Sequence, residues 1–439
     1  MVGALNGVTV IDFTEYIAGP YCTMMLADMG ADVIKIERPE GDAWRHTAPV
    51  APYEGRGYLG VNRGKRSVAL DLERDEARAV ALRMCAHADV VVMNYRPGVA
   101  ERLGIGYDAL SVANPSMIYC ENTAFGRDGP LAGRGGFDIL SQAATGMILY
   151  ENKIERGLPT YIATTAVADI TSGMMMAFAI VSALYARVAT GKGQRIETSL
   201  FASGLAAQYR PLLSVEAVDR PVRDGFLTEL AARRLKEDVR YEDVAKLRRE
   251  YVSARGRNNY YRVYETRDGL IAIGCLNNRQ RRKLRDALGI EDATVEGFAY
   301  DWFSEDVRRA HHATTGLMEE ALATKSTAGW ITVLEPAGVP CAEVNFPEEL
   351  FEHPHVEANG LMLTLQHDIL GPIRMPAPPI RMSETPAAVR FAPPPLGAHG
   401  LEVLRQFGYD DASIDELFKS GALVTRERRM AQDAGERDG

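Results

Sequence analysis

Residues 8–37 of the chain, VTVIDFTEYIAGPYCTMMLADMGADVIKIE, decide the fold class. The stretch begins and ends with short apolar runs rich in β-branched residues, Val8–Phe13 and Asp32–Glu37, and both are predicted to be buried strands. The intervening AGPYCTMMLADMG has the spacing of a helix that ends at Gly30. A strand, a helix and a second strand in this order predict a βαβ unit with parallel strands.

The same alternation continues through the first half of the chain. A helical pattern covers residues 73–88, and three further runs have the composition of buried strands: Val68–Leu72, Asp89–Asn94 and Met117–Glu121. We therefore predict an α/β protein with a Rossmann-like, doubly wound sheet. Ligands of such sheets bind beyond the carboxyl ends of the strands, which in this chain are Asp12–Thr14, Glu37–Pro39, Asn94–Arg96 and Asn122–Phe125.

The character of the sequence changes near Asp219. Residues 220–257 are densely charged and have apolar residues at helical spacing, which indicates a solvent-exposed helical insertion. Residues 260–274 are typical of two strands around a turn at 267–269, and helical segments follow to about residue 334. Residues 338–395 are rich in Pro and Gly and are predicted to form extended connections.

These patterns predict a large Rossmann-like domain and a smaller α+β domain. The predicted divisions are a first part of the large domain at 1–215, the insertion at 220–257, the small domain at 258–338, a return segment that completes the large domain at 339–425, and a polar, frayed tail at 426–439.

Composition and charge exclude several classes of protein. The chain has 439 residues, 46% of them hydrophobic, and a net charge of −9, which argues against binding nucleic acid through bulk charge. Its five cysteines are widely spaced, which is typical of reduced thiols in a cytoplasmic protein. The apolar run 170–186 is shorter than the about 20 residues that cross a bilayer. It is therefore predicted to be a buried core helix, and no membrane attachment is expected.

Familiar catalytic motifs are missing from the sequence. It has no GxxxxGK[ST] loop, no GxSxG elbow, and no GxGxxG after the first strand, where Ala18-Gly19-Pro20 stands instead. Histidines and cysteines do not have metal-ligand spacing, so no metal site is expected.

Asp169 precedes the long apolar run and has two interpretations. An aspartate at this place usually caps the helix by accepting hydrogen bonds from the amides of the first turn. In a closed pocket the same carboxylate, ionised without a partner base, is suited to act as a nucleophile towards an activated acyl group.

Polar residues at the predicted strand ends and one Gly-rich run are further candidates for a site. Arginines and lysines of this kind are usually solvated, but clustered at one edge of a sheet they bind phosphates. The run 126–136, GRDGPLAGRGG, is a flexible loop or a lid over a ligand. The strand-end residues are Arg38, Asn62, Lys65, Asn94, Arg96 and Arg102.

An ordered series of segments resembles the family III CoA-transferases, also called the CaiB/BaiF family. The similarity covers most of the chain apart from the charged insertion. Its segments are LNGVTVIDFTEYIAGP, LADMGADVIKIERPEGD, NRGKRSVALDL, NYRPG, GFDILSQAATG, Asp169 with TGKGQ, AGVPCAEVN and APPPLGAHGLEVLRQFGY.

The resemblance implies a reaction. The family's aspartate that matches Asp169 attacks a donor acyl-CoA, and CoA passes through mixed anhydrides and an aspartyl-CoA thioester to an acceptor acid. Coenzyme A and acyl-CoA are then substrates, with succinyl-CoA as an expected donor and a small carboxylic acid as the acceptor. No permanently bound cofactor is expected.

The resemblance also implies contacts and an assembly. The implied assembly is a homodimer of two intertwined rings, in which each large domain is built from both ends of its chain. The residues that match the family's CoA contacts are Ala18, Arg38, Asn62, Lys65, Asn94, Tyr95 and Arg102.

The chain departs from relatives of known chemistry at three places. Members that use formate and oxalate have His and Gln in the segment matching Glu15–Ile17, and a glycine-only loop at residues 253–259, so formyl-CoA is disfavoured as donor. The related 2-methylacyl-CoA racemases have a histidine where Phe137 stands, and without that base transfer is favoured over racemisation. An acyl-CoA racemase or epimerase is an alternative, as is a non-catalytic subunit that contacts a paralogous chain through residues 220–257.

Overall fold

The computed structural model describes residues 2–151, 153–236, 239–252, 258–292 and 305–437. The chain divides into a large unit of residues Met1–Glu155, Pro159–Leu213 and Glu357–Gly439, and a second unit of residues Arg156–Leu158 and Ser214–Val356. The large unit is therefore assembled from both ends of the chain.

The described residues form the following elements. The strands are β1 (Thr9–Asp12), β2 (Asp32–Glu37), β3 (Pro49–Ala51), β4 (Glu54–Gly55), β5 (Lys65–Leu70), β6 (Val90–Met93), β7 (Ile118–Thr123), β8 (Ile154–Glu155), β9 (Leu158–Pro159), β10 (Gln194–Ser199), β11 (Tyr261–Glu265), β12 (Leu270–Gly274), β13 (Cys341–Glu343), β14 (Met362–His367), β15 (Gly371–Pro376) and β16 (Leu423–Val424). The helices are α1 (Ala18–Asp28), α2 (Arg56–Val61), α3 (Asp75–Ala86), α4 (Val99–Arg102), α5 (Tyr107–Ala113), α6 (Asp138–Ala144), α7 (Met147–Glu151), α8 (Val167–Thr190), α9 (Leu200–Ala206), α10 (Glu216–Leu235), α11 (Tyr241–Val252), α12 (Asn278–Leu288), α13 (Glu305–Leu322), α14 (Thr327–Ala337), α15 (Pro354–Ala358), α16 (Gly400–Gln406), α17 (Asp411–Ser420) and α18 (Arg426–Arg437).

The large unit is built on one sheet with the order β10-β7-β6-β1-β2-β5-β16. Neighbouring strands are parallel except β16, which is antiparallel to β5. Without β16 the order is that of a Rossmann fold, in which the chain starts at the centre and winds outward in both directions. The point where the winding reverses lies between β1 and β6, and the predicted α/β fold is confirmed.

Side chains of successive strand residues belong to two separate cores. Val10 and Val92 pack with α1 and α8, whereas Ile11 and Val91 pack with α3, α16 and α17. This follows from the alternation of side chains along a strand, which sends neighbours to opposite faces. Helices therefore cover both faces of the sheet, and the central strands β1 and β6 have apolar residues on both faces.

The second unit has its own small sheet and core. The predicted hairpin of residues 260–274 is confirmed, because β11 and β12 pair antiparallel. Strand β13 pairs with β12 as well, so residues 341–343 lie in this unit although the prediction placed them in the return segment from residue 339. The charged insertion forms α10 and α11, as predicted for a helical segment. In the segment 253–259, which differs from the glycine-only loop of formate- and oxalate-using relatives, residues 253–257 lie outside the described residues.

Two C-terminal segments differ from the sequence prediction. Within the Pro- and Gly-rich stretch, β14 and β15 form a regular antiparallel hairpin rather than an extended connection. The polar tail forms α18 rather than a frayed end, and it is held by the hydrogen bond from the Tyr53 hydroxyl to Asp433 and by the ion pair of Arg429 with Glu40. Both contacts join residues almost 400 positions apart, which a local pattern does not show.

Helix α8 carries the apolar run that the sequence analysis assigned to the core. It has 24 residues and is, within the described ranges, the one helix whose length and hydropathy would allow it to cross a bilayer. Half of its most apolar window is buried, with Met176 and Ile180 packed against α1 and the sheet. One face of the helix is therefore a core face.

Four buried charges lie together where β1 ends and β5 begins: Asp12 is the last residue of β1, Lys35 is in β2, Asp42 follows β2, and Lys65 is the first residue of β5. The ammonium of Lys65 donates to Asp12 Oδ2 at 3.1 Å, and that of Lys35 lies 3.0 Å from Asp42 Oδ2, with every one of these side chains fully buried. Burial alone would raise the pKa of Asp12, but the two lysines outweigh it and lower that pKa to about 2. The Asp12 carboxylate therefore stays ionised inside the protein.

We expect Lys65→Met to destabilise the protein severely. The ammonium also donates to the Pro20 carbonyl at 2.9 Å and to Asn62 Oδ1 at 2.7 Å, and its loss leaves these acceptors and Asp12 short of a donor in a dry site. The expected loss is about 3–5 kcal/mol in the free energy of unfolding, measured in urea. The exposed Lys192→Met serves as control and should change stability by less than about 0.5 kcal/mol. Normal stability with weakened CoA binding would show instead that Lys65 contacts the ligand.

Candidate active site

A cavity of about 830 Å³ opens in the large unit at the carboxyl ends of β1 and β6. This is the reversal point of the sheet, where doubly wound folds bind ligands. Asp169 lines the cavity together with five of the seven residues predicted to contact CoA, namely Ala18, Arg38, Asn94, Tyr95 and Arg102. Its size is within the range of small-molecule sites.

Asp169 lies in the first turn of α8, but it does not cap the helix. The helix begins at Val167, and Ala166 before it provides no side-chain cap. The cap comes from Asp138, whose Oδ1 accepts hydrogen bonds from the amides of Ala168 at 2.7 Å and of Asp169 at 3.4 Å. The capping interpretation of Asp169 is therefore wrong, and its carboxylate is left facing the cavity.

Asp138 is itself held in place by a glutamine one turn further along α6. Gln142 donates from Nε2 to Asp138 Oδ2 at 2.5 Å, and its Oε1 accepts the Ile162 amide at 2.9 Å. This chain of bonds connects α6 to the segment that leads into α8. It fixes the residue at which α8 begins and therefore the position of Asp169.

The environment of Asp169 makes its carboxyl group unusually basic. Burial is the main cause, the charge of Asp138 adds to it, and the backbone of Ala18 opposes it, so that the pKa of Asp169 rises to about 7. Ala18 is close because α1 and α8 cross tightly at Gly173, where a Cβ would lie 2.7 Å from the Ala18 carbonyl oxygen. A carboxylate of this basicity is a stronger nucleophile than an exposed one.

The loop after β1 forms the wall next to Asp169. Tyr16 has a left-handed backbone with φ +67°, an unfavourable conformation for a residue with a side chain. Three contacts hold it there: the Tyr16 amide donates to Asp42 at 3.1 Å, Lys35 donates to the Thr14 carbonyl at 2.6 Å, and Asn94 exchanges two hydrogen bonds with the backbone of Glu15. The buried charges thus shape the cavity directly.

Four arginines give the cavity its positive wall. Arg38 donates from Nε to Glu15 at 2.9 Å. Arg96, Arg102 and Arg134 also line the cavity, and in the part of the chain that the structure describes none of their guanidinium groups has a hydrogen-bond or ion-pair partner. These guanidinium groups are available to anionic groups of a ligand.

Asn62 and Lys65 are the two predicted CoA contacts that do not line the cavity. Both side chains are fully buried, and they bond to each other and to neighbouring backbone. Their contact with CoA stays a prediction. Arg134 and Asp138 are the opposite case. The sequence analysis named the run 126–136 as a loop or lid but gave Arg134 itself no role, and it gave Asp138 none. Gly135 and Gly136, which follow Arg134, are a local signal that another group can lie close to the backbone there. No residue near Asp138 in the sequence indicates that its side chain caps α8.

The strand order and the arginines together define an α/β protein whose cavity, at the reversal point of the sheet and beside a basic carboxylate, is suited to an anionic ligand. Comparison with known proteins identifies the particular kind. The family model for CoA-transferase family III matches residues 5–400, and the chain belongs to this family of enzymes.

Similar proteins span nearly the whole chain. It is 30% identical to the succinyl-CoA:glutarate CoA-transferase of Homo sapiens, over 96% of this chain and 90% of that protein. It is 31% identical to the acetyl-CoA:oxalate CoA-transferase of Acetobacter aceti, over 93% and 97%. A crystal structure of a CaiB/BaiF family protein from Brucella suis superposes with a TM-score of 0.70 at 30% identity, covering 93% of this chain and all of the other.

We expect Asp169→Asn to stabilise the protein in neutral and alkaline solution. The carboxyl ionises near pH 3.8 when unfolded and near pH 7 when folded, so ionisation opposes folding above pH 4 and does so fully above pH 7. Asparagine removes this penalty, and unfolding at pH 8 should cost roughly 2–4 kcal/mol more than for the wild type. The difference should shrink as the pH falls towards 4. Asp415→Asn, at an exposed position of α17, should show no such trend.

Proposed function

We propose that the protein moves CoA from an acyl-CoA, with succinyl-CoA as an expected donor, to a small carboxylic acid, and that Asp169 is the nucleophile. The observation that carries this proposal is the placement of a buried, basic carboxylate in a cavity lined by arginines. Membership of the family supports the transfer itself.

The proposed mechanism uses Asp169 as a temporary acyl and CoA carrier. Its carboxylate attacks the donor thioester carbonyl, the C–S bond breaks, and an acyl-aspartyl anhydride and CoA thiolate form. The thiolate attacks the aspartyl carbonyl and releases the donor acid, leaving an aspartyl-CoA thioester. The acceptor carboxylate then displaces the thiolate to form a second anhydride. Thiolate attack on its acceptor carbonyl gives the new acyl-CoA and restores Asp169.

The site supplies two conditions that this sequence of steps needs. Anhydrides and thioesters hydrolyse in water, and Asp169 is only 9% exposed, which limits access of water to the reacting carbonyl. After the C–S bond breaks, the CoA thiolate must also stay close to the aspartyl carbonyl, and it does so while the rest of CoA remains bound. Arg38 and Arg102 are suited to its phosphates, and Asn94 and Tyr95 line the way to Asp169.

The position that would hold a racemase base is aromatic in this protein. The Phe137 ring packs edge-on against Tyr16, with 5.1 Å between the ring centroids. A hydrocarbon ring cannot exchange the α-proton of an acyl-CoA, so transfer is the chemistry that these residues support.

We expect Asp169→Ala to abolish CoA transfer, with a loss of at least about 10³-fold in kcat, because no carrier remains for the acyl group. Hydroxylamine should inactivate the wild type only when an acyl-CoA is present, because it traps the aspartyl-CoA thioester as a hydroxamate at Asp169. Mass spectrometry of the peptide locates the adduct.

The exposed Asp415→Ala is the control for this experiment and should keep wild-type activity and hydroxylamine sensitivity. Transfer by the Asp169→Ala variant would contradict the proposed nucleophile. Deuterium incorporation at the α-carbon of an acyl-CoA in D2O, without transfer, would identify the protein as a racemase.

The outer face of α8 supports the homodimer implied by the family. Phe178, Tyr185 and Val188 are 73%, 82% and 86% exposed, and Met174 and Val181 extend the same apolar face. Monomeric soluble proteins rarely expose a contiguous apolar patch of this kind. A second copy of the chain is the proposed cover.

We expect the protein to have twice the mass of one chain by native mass spectrometry and light scattering. Tyr185→Arg combined with Val188→Arg should shift it towards the monomer, because two charges cannot be desolvated at an apolar interface. Val112→Arg, at an equally exposed valine of α5, is the matched control and should remain dimeric. A wild-type monomer at micromolar concentration would rule out this assembly.

A further inference from the structure

Arg96 has a guanidinium group without a hydrogen-bond or ion-pair partner among the residues that the structure describes. It follows β6 by three residues, and its carbonyl accepts the Val99 amide at 3.1 Å in the turn through Gly98. Its side chain lies against the backbone of Gly135, where a Cβ would be 2.6 Å from Arg96 Nε. Within the described residues no acid or carbonyl accepts a hydrogen bond from its guanidinium.

Tyr16 lines the same cavity and lies within electrostatic range of this guanidinium. Burial raises the pKa of the Tyr16 phenol, while the positive charges of Arg38 and Arg96 act on it in the opposite sense. The phenol is therefore a neutral hydrogen-bond donor at physiological pH. Phe137, two residues after Gly135, packs against the Tyr16 ring and lies one residue before the Asp138 cap of α8.

The cavity also contains carboxylates that would repel a doubly charged acid. Glu15 and Asp169 both line it, and Asp138 lies directly behind Asp169. Glu15 is balanced by Arg38. A second carboxylate on a substrate needs a positive charge of its own, and Arg96 is the cavity guanidinium that lies against the backbone of Gly135, two residues before Phe137.

We propose that Arg96 and the Tyr16 hydroxyl bind the second carboxylate of a dicarboxylic acid or its acyl group, while the reacting carboxyl group lies at Asp169. The inference rests on the proposed function. The planar guanidinium matches a carboxylate in two-point hydrogen bonding, and the Phe137 ring is suited to pack against the intervening methylene groups. The protein then selects dicarboxylic acids over monocarboxylic acids of the same chain length.

The test compares matched acceptors with one common donor. The ratio of kcat/KM for glutarate to that for valerate, and for succinate to butyrate, does not depend on how a variant binds the donor. We expect Arg96→Met to lower both ratios by about 10- to 100-fold, because the second carboxylate loses its charged partner. Tyr16→Phe should lower them by a smaller factor, about 3- to 10-fold.

Two other arginines of the cavity provide the matched controls. Arg102→Met should raise the KM for acyl-CoA without changing either ratio, because Arg102 is assigned to CoA. An unchanged ratio in Arg96→Met, or a fall in Arg134→Met instead, would overturn the assignment. An equal loss with both acids would show that Arg96 contacts CoA.

A binding measurement separates this inference from the proposed function. Calorimetry with the CoA-loaded protein should show glutarate binding to the wild type, at least about 10-fold weaker binding to Arg96→Met, and little binding of valerate. If the wild type transfers CoA to no acid, the proposed function fails whatever this result. If it transfers CoA but binds glutarate and valerate alike, only the role of Arg96 fails.

Discussion

Two buried lysine–aspartate pairs support the active-site wall. Lys65 with Asp12 and Lys35 with Asp42 bring charge into a region with no access to water, and such pairs are tolerated only when nearly every donor and acceptor is satisfied. Asp42 and Lys35 also form hydrogen bonds to the loop after β1: Asp42 accepts the Tyr16 amide, and Lys35 donates to the Thr14 carbonyl. The loop consequently keeps a backbone conformation that it would not adopt alone.

The Asp169 carboxylate depends on a second arrangement, in which one helix is capped by a side chain from another. Asp138 accepts the amides of the first turn of α8, so the Asp169 carboxylate does not cap them, and the Ala18 backbone opposes the rise in its pKa. The negative charge of Asp138 raises that pKa further. The raised pKa of Asp169 thus lowers the free energy of unfolding in neutral and alkaline solution, as residues of functional sites often do.

The sheet could be predicted from the sequence, and Asp169 could be singled out as a candidate, because their signals are local. Buried parallel strands are rich in β-branched residues, and Asp169 stands directly before a long apolar run in the sequence. The burial of Lys65 could not be predicted, since its acceptors come from Asp12, Pro20 and Asn62, which a linear pattern does not bring together. The same reason applies to the cap by Asp138, 30 residues before the amide that it accepts, and to the tail helix, whose partners lie near the start of the chain.

The edge strand β16 has a consequence for how the chain is made. It pairs with β5, and α16 and α17 complete one of the two cores of the sheet, although more than 300 residues of sequence separate them from that strand. During synthesis on the ribosome, the edge of β5 therefore remains unpaired, and the apolar face that α16 and α17 cover remains partly exposed, until almost the entire polypeptide has emerged. A prematurely terminated chain would keep this exposed edge permanently. It would therefore be an aggregation-prone fragment rather than a smaller folded protein.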